Sequence, residues 1–214
     1  MTEIIDHDGI QGILHPPVSE AKGTGVVLTH GAGADYRTPL LTAMAEQMAG
    51  HGFHVLRCNL AFRQRRRTGP PHPSKSEEDR FSLIQAAAFM RKHTPERVII
   101  GGHSYGGRQA TMVAAENRTV ADHLLLFSYP LHPPAKPAQL RTAHFAKLKV
   151  PGTFIHGSAD SFGTPAEMAE ALQLIPAKTK LAIVQGGGHD LKKGKFDLFA
   201  LVDGLEHFHK ICIP

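Results

Sequence analysis

The sequence predicts an α/β fold built on a mostly parallel, doubly wound sheet with helices on both faces. Short apolar runs typical of strands covered on both sides recur along the chain. Segments with helical spacing and capping residues alternate with these runs, an order that implies parallel pairing through right-handed crossovers. The predicted parallel strands cover residues 25–29, 53–60, 97–100, 124–127, 150–155 and 181–184.

The first elements are an edge hairpin, a central strand and a helix. Two short apolar pieces separated by an Asp-His-Asp-Gly turn favour a hairpin over residues 3–14. The strand at residues 25–29 leads directly into the glycine-rich loop His30–Ala34, whose backbone amides could turn toward a ligand. A Thr-Pro pair then predicts a helix that begins at Pro39 and ends at nearby glycines.

The next segment predicts a strand, a basic loop and a second helix. The strand at residues 53–60 is followed by the arginine- and proline-rich segment Arg63–Pro73, which is predicted to be a loop. Ser76 and the acidic residues after it form a helix-capping signal, and Pro95 closes the helix. The apolar face of this helix is predicted to carry Phe81, Ile84, Ala88 and Met90.

The most informative stretch is Gly102-His103-Ser104-Tyr105-Gly106, which follows a β-branched apolar run. An alanine-rich helix over roughly 105–116 is predicted to follow, so the context is the strand, turn and helix of a nucleophile elbow. The glycines leave room for a serine on a sharp turn at the carboxyl edge of the sheet. A Gly-x-Ser-x-Gly pattern alone occurs by chance in about one chain in ten of this length. Whether this pattern marks a catalytic serine therefore depends on whether its partners, a base, an acid and a second oxyanion donor, occur elsewhere in the sequence.

Those partners follow later strands. The strand at residues 124–127 opens into Tyr129–Pro137, where prolines exclude regular structure and a minimal lid is predicted. Asp160 follows the strand at 150–155, and a Thr-Pro-x-Glu capping box predicts a helix from Pro165. Three glycines after the strand at 181–184 lead to His189. A terminal amphipathic helix is predicted to carry Phe196, Phe199, Val202, Leu205 and Phe208.

Ser104, Asp160 and His189 thus occur at strand ends in the order nucleophile, acid and histidine, which is typical of α/β hydrolases. In this interpretation His189 takes the Ser104 proton and returns it to the leaving group. Asp160 holds the imidazole in the productive tautomer. Asp190 is an alternative acid, although neighbours along a chain usually point their side chains apart.

The backbone amides of Tyr105 and Ala32 are predicted to form the oxyanion hole, with Gly31 as the alternative to Ala32. His30 and His103 flank this region and are predicted to make orienting or structural hydrogen bonds. We predict no cofactor and no catalytic metal, because no carboxylate or thiol completes a ligand set around the four histidines whose spacing raises the question of a metal site. Those histidines are His51, His54, His207 and His209.

Composition favours one domain over residues 1–214 in an ordinary globular protein, with 42% hydrophobic and 20% charged residues. No apolar run approaches the length of a membrane span, and the start of the chain lacks the features of a signal peptide. Cys58 and Cys212 match no disulfide framework or metal spacing. We therefore expect a cytoplasmic location and no membrane partner. Oligomeric state is left open.

The net charge of +5 is concentrated in part at Arg63, Arg65, Arg66 and Arg67. These arginines are interpreted as a solvated loop. The alternatives are a nucleic-acid patch, a localisation signal or a funnel for anionic substrates. No aromatic interleaving or recognisable binding module accompanies the arginines, so no nucleic-acid partner is predicted.

Several stretches together resemble one branch of the α/β-hydrolase family, over nearly the whole chain. They are His30–Ala34, Gly101–Arg108, Tyr129–Pro134, Gly157–Asp160 and the loop before His189. That branch includes the testis-expressed hydrolase-like proteins and a subunit of the nuclear NSL acetyltransferase complex. The resemblance implies an α/β-hydrolase fold and the catalytic positions more than it implies a reaction. The chain is similar, more distantly, to dienelactone hydrolases, which use cysteine where this chain has Ser104.

The leading hypothesis is a serine hydrolase that cleaves an ester or related acyl bond of a small substrate through an acyl-enzyme on Ser104. The alternative is an interaction module that keeps the hydrolase fold without turnover, which the resemblance implies because the branch includes interaction subunits. The sequence signature of such a module is loss of a triad residue or a blocked oxyanion loop, and this chain shows neither.

Overall fold

Eight strands form one sheet in the computed structural model, which describes residues 1–192. The strands are β1 (Glu3–His7), β2 (Ile10–His15), β3 (Thr24–Thr29), β4 (His54–Cys58), β5 (Arg97–His103), β6 (His123–Phe127), β7 (Gly152–Gly157) and β8 (Thr179–Val184). Their order across the sheet is β1-β2-β4-β3-β5-β6-β7-β8. Strands β3 to β8 run parallel, whereas β2 pairs antiparallel with β1 and β4. The predicted parallel sheet and edge hairpin are confirmed.

Helices connect the parallel strands. They are α1 (Pro39–Gly50), α2 (Ala61–Arg65), α3 (Ser76–His93), α4 (Tyr105–Glu116) and α5 (Pro165–Leu172), with 3-10 turns at Pro73–Lys75 and Phe145–Lys147. The predicted capping box is present at α5, where the Thr164 hydroxyl accepts from the Glu167 amide and the Glu167 carboxylate accepts from the Thr164 amide. The predicted terminal helix, Phe196 to Phe208, lies outside the described residues.

The sheet buries apolar residues on both faces because successive strand residues point to opposite sides. Val27 of β3 and Leu126 of β6 belong to the apolar cluster under α3 and α4. Val26 and Leu125, their neighbours in sequence, belong to the cluster under α1. The helices therefore cover both faces, as the continuous apolar runs predict. Among the helices of residues 1–192, none combines the length and hydrophobicity that a membrane span requires.

Two predictions made from the sequence of helix α3 are wrong. Ser76 lies inside the helix and does not cap it, because the 3-10 turn Pro73–Lys75 leads directly into its first turn. The predicted face is wrong for three of its four residues: Phe81, Ile84 and Ala88 are exposed. The buried face carries Leu83, Ala86, Ala87 and Met90, with Asp79 and Ser82 at its start.

The rotation of α3 has a polar cause. The buried Asp79 carboxylate accepts hydrogen bonds from the Phe62 amide at 2.8 Å and the Tyr105 hydroxyl at 2.7 Å. The Ser82 hydroxyl, one turn later, accepts from the Ala61 amide at 3.1 Å. These buried polar contacts fix which side of α3 faces the protein. Phe81 then points outward.

The arginine-rich segment also departs from prediction. Its first part is helix α2, and Arg63 within that helix is buried, with 5% of its surface exposed. Arg65, Arg66 and Arg67 are exposed, as predicted for a solvated segment. The proline-rich stretch 129–137 contains no helix or strand, which agrees with its proline content.

Candidate active site

Ser104 stands on a sharp turn between the end of β5 and the start of α4, with a positive φ of 52°. Glycines flank it because β3 passes very close. A Cβ atom on Gly102 would lie 2.1 Å from the Thr29 carbonyl oxygen, and one on Gly106 would lie 2.5 Å from the Thr29 hydroxyl. The turn thus has the geometry of a nucleophile elbow.

His189 and Asp160 are brought to Ser104 from the loops after β8 and β7. The Ser104 hydroxyl oxygen lies 2.8 Å from His189 Nε2. On the other side of the ring, His189 Nδ1 lies 2.9 Å from both carboxylate oxygens of Asp160. The Asp160 side chain is fully buried, and the His189 side chain is 21% exposed. The three side chains form a continuous hydrogen-bonded line.

Asp190, the alternative acid, does not contact the His189 ring in this line. Its carboxylate lies 3.2 Å from Lys192 Nζ and accepts from the Lys192 amide at 3.2 Å. Both side chains of this pair are exposed. The geometry therefore favours Asp160 over Asp190 as the partner of the imidazole.

Phe162 is a site residue that sequence reasoning missed. Its ring stacks on His189 with centroids 4.0 Å apart, and its amide donates to Asp160 Oδ1 at 2.8 Å. One residue thus restrains both the imidazole and the carboxylate. The available signal was its position two residues after Asp160, where a carboxylate commonly accepts from the backbone in a turn.

His103 and His30 make hydrogen bonds to the backbone around the site. The Nε2–H of His103 donates to the His189 carbonyl oxygen at 2.7 Å, which joins the elbow to the loop that carries the imidazole. The Nδ1–H of His30 donates to the Gly31 carbonyl oxygen at 2.9 Å, and His30 Nε2 accepts from the Leu60 amide. Burial lowers the pKa of His30 to about 4 and also lowers that of His103. Both imidazoles are neutral near pH 7.

A cavity of about 420 Å³ opens beside Ser104. Ala32 and Tyr105 line it, and within residues 1–192 neither of their amides has an acceptor. Gly31 does not line this cavity, and a Cβ placed on it would lie 3.0 Å from His103 Nδ1. The amides of Ala32 and Tyr105 are therefore available to an oxyanion formed at Ser104, and Ala32 is better placed than Gly31.

Arg63 holds the loop that carries Ala32. Its Nε donates to the Ala34 carbonyl oxygen at 2.7 Å, and its Nη2 donates to the Ala32 carbonyl oxygen at 3.1 Å. Further bonds reach the carbonyl oxygens of Arg66 and Gly69. The prediction of a solvated loop is therefore wrong for Arg63, which is buried and holds the loop next to Ser104.

The other oxyanion candidate, Tyr105, is anchored through its side chain. Its hydroxyl donates to the buried Asp79 carboxylate at 2.7 Å. Burial, together with the neighbouring carboxylate, raises the pKa of the Tyr105 hydroxyl, which therefore stays protonated as a donor. Burial also raises the pKa of Asp79. The contact ties the first residue of α4 to α3.

Within residues 1–192, no group of three or more His, Cys, Asp or Glu side chains is arranged to hold a metal ion. His51 and His54 belong to no such group. His207, His209 and Cys212 lie outside the described residues. Cys58 is a buried free thiol, and burial raises its pKa to about 12, so its thiolate is not formed near neutral pH.

Comparison with known proteins finds a matching family model and several solved structures with a similar fold. A family model described as "Alpha/beta hydrolase domain" matches residues 22–210. A dienelactone hydrolase from Anabaena variabilis is similar at 18% identity and a TM-score of 0.74, with 98% of this chain and 97% of that chain covered. Est1E from Butyrivibrio proteoclasticus is similar at 16% identity and a TM-score of 0.71, with 97% and 96% covered.

A third solved structure comes from Xanthomonas campestris and is described as an alpha/beta serine hydrolase without a lid. It is 15% identical, with a TM-score of 0.69, and the match covers 100% of this chain and 95% of that chain. At these identities the solved structures show that the fold is shared.

Proposed function

The chain belongs to the alpha/beta hydrolase domain family, and on this premise we propose that it is a serine hydrolase that cleaves an ester or related acyl bond of a small substrate. The observation that carries the proposal is the line from the Ser104 hydroxyl through His189 to the buried Asp160 carboxylate, with hydrogen-bond distances of 2.8 and 2.9 Å. A nucleophile needs this contact with a base whose tautomer is fixed by a third group.

In the proposed first step, Ser104 Oγ attacks the acyl carbon while its proton passes to His189 Nε2. Asp160 stabilises the imidazolium that forms. The oxyanion accepts hydrogen bonds from the amides of Ala32 and Tyr105, each of which lowers the barrier by about 3 kcal/mol. The imidazolium then protonates the leaving alcohol or amine, and Ser104 keeps the acyl group.

Water completes the cycle. His189 takes a proton from the water, whose oxygen attacks the acyl carbon, and Ser104 leaves with that proton restored. The cavity beside Ser104, about 420 Å³ in volume, favours small or extended acyl compounds. The segment between β6 and β7 contributes only Pro130 and Arg141 to its wall, in keeping with a minimal lid.

Membership of the narrower branch with the testis-expressed hydrolase-like proteins and the NSL complex subunit is likewise a proposal. It rests on the sequence stretches that resemble that branch. Similarity to a dienelactone hydrolase supports the fold but does not supply the substrate, because those enzymes use cysteine where this chain has Ser104.

Active-site labelling tests the proposal. The native protein is treated with a fluorophosphonate probe, and the adduct is located by intact and peptide mass spectrometry. We expect one adduct, on Ser104, and none in the Ser104→Ala and His189→Ala variants. The matched controls Ser19→Ala and His7→Ala change exposed residues and should label like the native protein. A panel of p-nitrophenyl esters from acetate upward then gives the acyl-length preference.

A folded native protein that neither labels nor hydrolyses these esters would overturn the proposal and favour the non-catalytic interaction module. Folding of each variant is checked by circular dichroism and thermal unfolding. Labelling that persists in Ser104→Ala would place the nucleophile elsewhere.

A further inference from the structure

Two arginines line the cavity that contains Ser104. Arg108 lies one helical turn after the nucleophile in α4, where its amide donates to the Ser104 carbonyl oxygen at 2.9 Å. Side chains four residues apart lie on the same face of a helix. Arg141 comes from the segment between β6 and β7, and its Nη1 donates to the Pro130 carbonyl oxygen at 3.1 Å. Two arginine side chains from separate elements thus line one cavity.

Their positive charge is not neutralised by the described protein. Within residues 1–192, neither Arg108 nor Arg141 forms an ion pair with an aspartate or glutamate. Arg108 Nε is buried without a hydrogen-bond partner there. Burial and the charge of Arg108 both lower the pKa of Arg141. A neighbouring like charge is expected to have this effect. Such a pair favours an anion between its members.

Gln109 supplies an independent observation. Its side chain is 0% exposed, it lines the same cavity, and neither its amide oxygen nor its amide nitrogen has a partner within the described residues. A buried amide without partners costs about 1–3 kcal/mol. A ligand in the cavity that accepts from the Gln109 nitrogen or donates to its oxygen would recover that free energy.

We propose that the cavity binds a carboxylate carried by the substrate, held by Arg108 and Arg141 with Gln109 as a polar contact, so that the preferred substrates are esters of monoanionic charge. This inference rests on the proposed hydrolase function. A carboxylate presents two oxygens in a plane, which match the paired N–H donors of a guanidinium. The exposed arginines Arg65, Arg66 and Arg67, which the sequence offered as an anion funnel, do not line this cavity.

Helix geometry gives a first scale for the spacing between the two ends of the substrate. Arg108 is four residues beyond Ser104, a backbone rise of about 6 Å along α4. We therefore choose a probe whose carboxylate lies about 6 Å from its ester carbonyl carbon. An adipate half-ester has this separation, which makes it a suitable probe.

The experiment compares matched pairs of esters that differ only in charge. The first pair is p-nitrophenyl hydrogen adipate and its neutral methyl ester, with the carboxylate on the acyl side. The second is 4-acetoxybenzoate and its methyl ester, with the carboxylate on the alcohol side. In at least one pair, we expect kcat/KM of the native protein to be about tenfold or more higher for the anion, mainly through KM. The ratio should shrink as NaCl rises, because salt screens the charges.

Variants identify the residues responsible. Arg108→Gln and Arg141→Gln should each bring the anion-to-neutral ratio toward one, and two variants on separate elements protect the test if one fails to fold. Arg118→Gln removes the same charge at an exposed position and should keep the native ratio. A ratio near one for both pairs in native protein that hydrolyses the neutral esters would overturn the inference and leave the hydrolase proposal intact.

Calorimetry separates the two proposals. Titration with 6-oxoheptanoate, the ketone analogue of the adipate half-ester, measures anion binding without turnover because a ketone has no leaving group. If the native protein shows no labelling and no hydrolysis, the hydrolase proposal fails, yet binding that Arg108→Gln abolishes would still support the carboxylate site. Absence of binding in the native protein would overturn that site.

Discussion

The Nη2 group of Arg63 donates a hydrogen bond to the carbonyl oxygen of Ala32 across 3.1 Å. Its Nε donates to the carbonyl oxygen of Ala34 across 2.7 Å, so one planar guanidinium spans two peptide groups of the same loop. Both carbonyls follow the Ala32 amide, whose own peptide plane contains the Gly31 carbonyl oxygen, and that oxygen accepts from the Ala34 amide at 3.1 Å. Arg63 therefore restrains the Ala32 amide through the turn that follows it. Arg63, predicted from the sequence to be solvated, is therefore placed to position an amide of the proposed oxyanion hole.

We predict that Arg63→Met lowers kcat on a p-nitrophenyl ester by about 10- to 100-fold with little change in KM, because the oxyanion donor is misdirected. Arg63→Lys should restore little of the lost kcat, since an ammonium lacks the planar set of N–H donors of a guanidinium. Arg65→Met, an exposed change in the same helix, serves as the control. Unaltered kcat in a folded Arg63→Met variant would contradict a positioning role.

Asp160→Asn should lower kcat by about four orders of magnitude while KM changes little, because an amide favours the wrong imidazole tautomer. Steady-state kinetics measures both constants. Asp190→Asn, at the exposed neighbouring carboxylate, should behave like the native protein. If Asp190→Asn lowered kcat and Asp160→Asn did not, the assignment of Asp160 as the acid would be wrong.

The close packing around the elbow glycines leads to a prediction about the free energy of unfolding. Gly102→Ala places a Cβ 2.1 Å from the Thr29 carbonyl oxygen, and we expect a loss of about 3 kcal/mol or failure to fold. Gly50→Ala, at the end of α1 with open space around the new methyl group, should raise stability by about 0.5–1 kcal/mol. Urea unfolding of both variants tests the contrast, and similar midpoints would refute it.

Stability should fall in acid partly through His30. Its pKa is 6.5 in the unfolded chain and about 4 in the folded protein, because the ring is buried. The unfolded state binds the extra proton between these values, so folding stability is lost as pH drops from 6.5 toward 4, by at most about 3 kcal/mol. His30→Gln should show a shallower decline in urea midpoints over this range. The exposed His7→Gln should keep the native slope, and equal slopes in all three proteins would contradict the prediction.

The convergence of Ser104, Asp160 and His189 could be predicted from the sequence because each residue lies within five residues of the carboxyl end of a parallel strand. The carboxyl ends of such strands meet at one edge, so the topology alone places the three side chains near each other. Strand positions were similarly accessible, because buried parallel strands are continuous apolar runs.

The orientation of α3 and the role of Arg63 could not be predicted because they depend on partners distant in the sequence. Phe81 was assigned to a buried face by local periodicity, but Asp79 sets that face through the Phe62 amide and the Tyr105 hydroxyl, 17 and 26 residues away. Arg63 belongs to a run of similar charges, yet only Arg63 meets the carbonyl oxygens of the His30–Ala34 loop. No pattern confined to the neighbouring residues encodes such pairings.

The positive φ of Ser104 means that its backbone conformation favours glycine, by about 1 kcal/mol or more for a non-glycine residue. A Ser104→Gly protein should therefore unfold at a higher temperature than the native one while losing the hydroxyl. Under the proposed function, selection for reactivity favours serine at this position, whereas selection for thermostability alone favours glycine. A screen that scored heat resistance alone would enrich catalytically dead clones, so directed evolution of this scaffold must couple every stability assay to an activity assay.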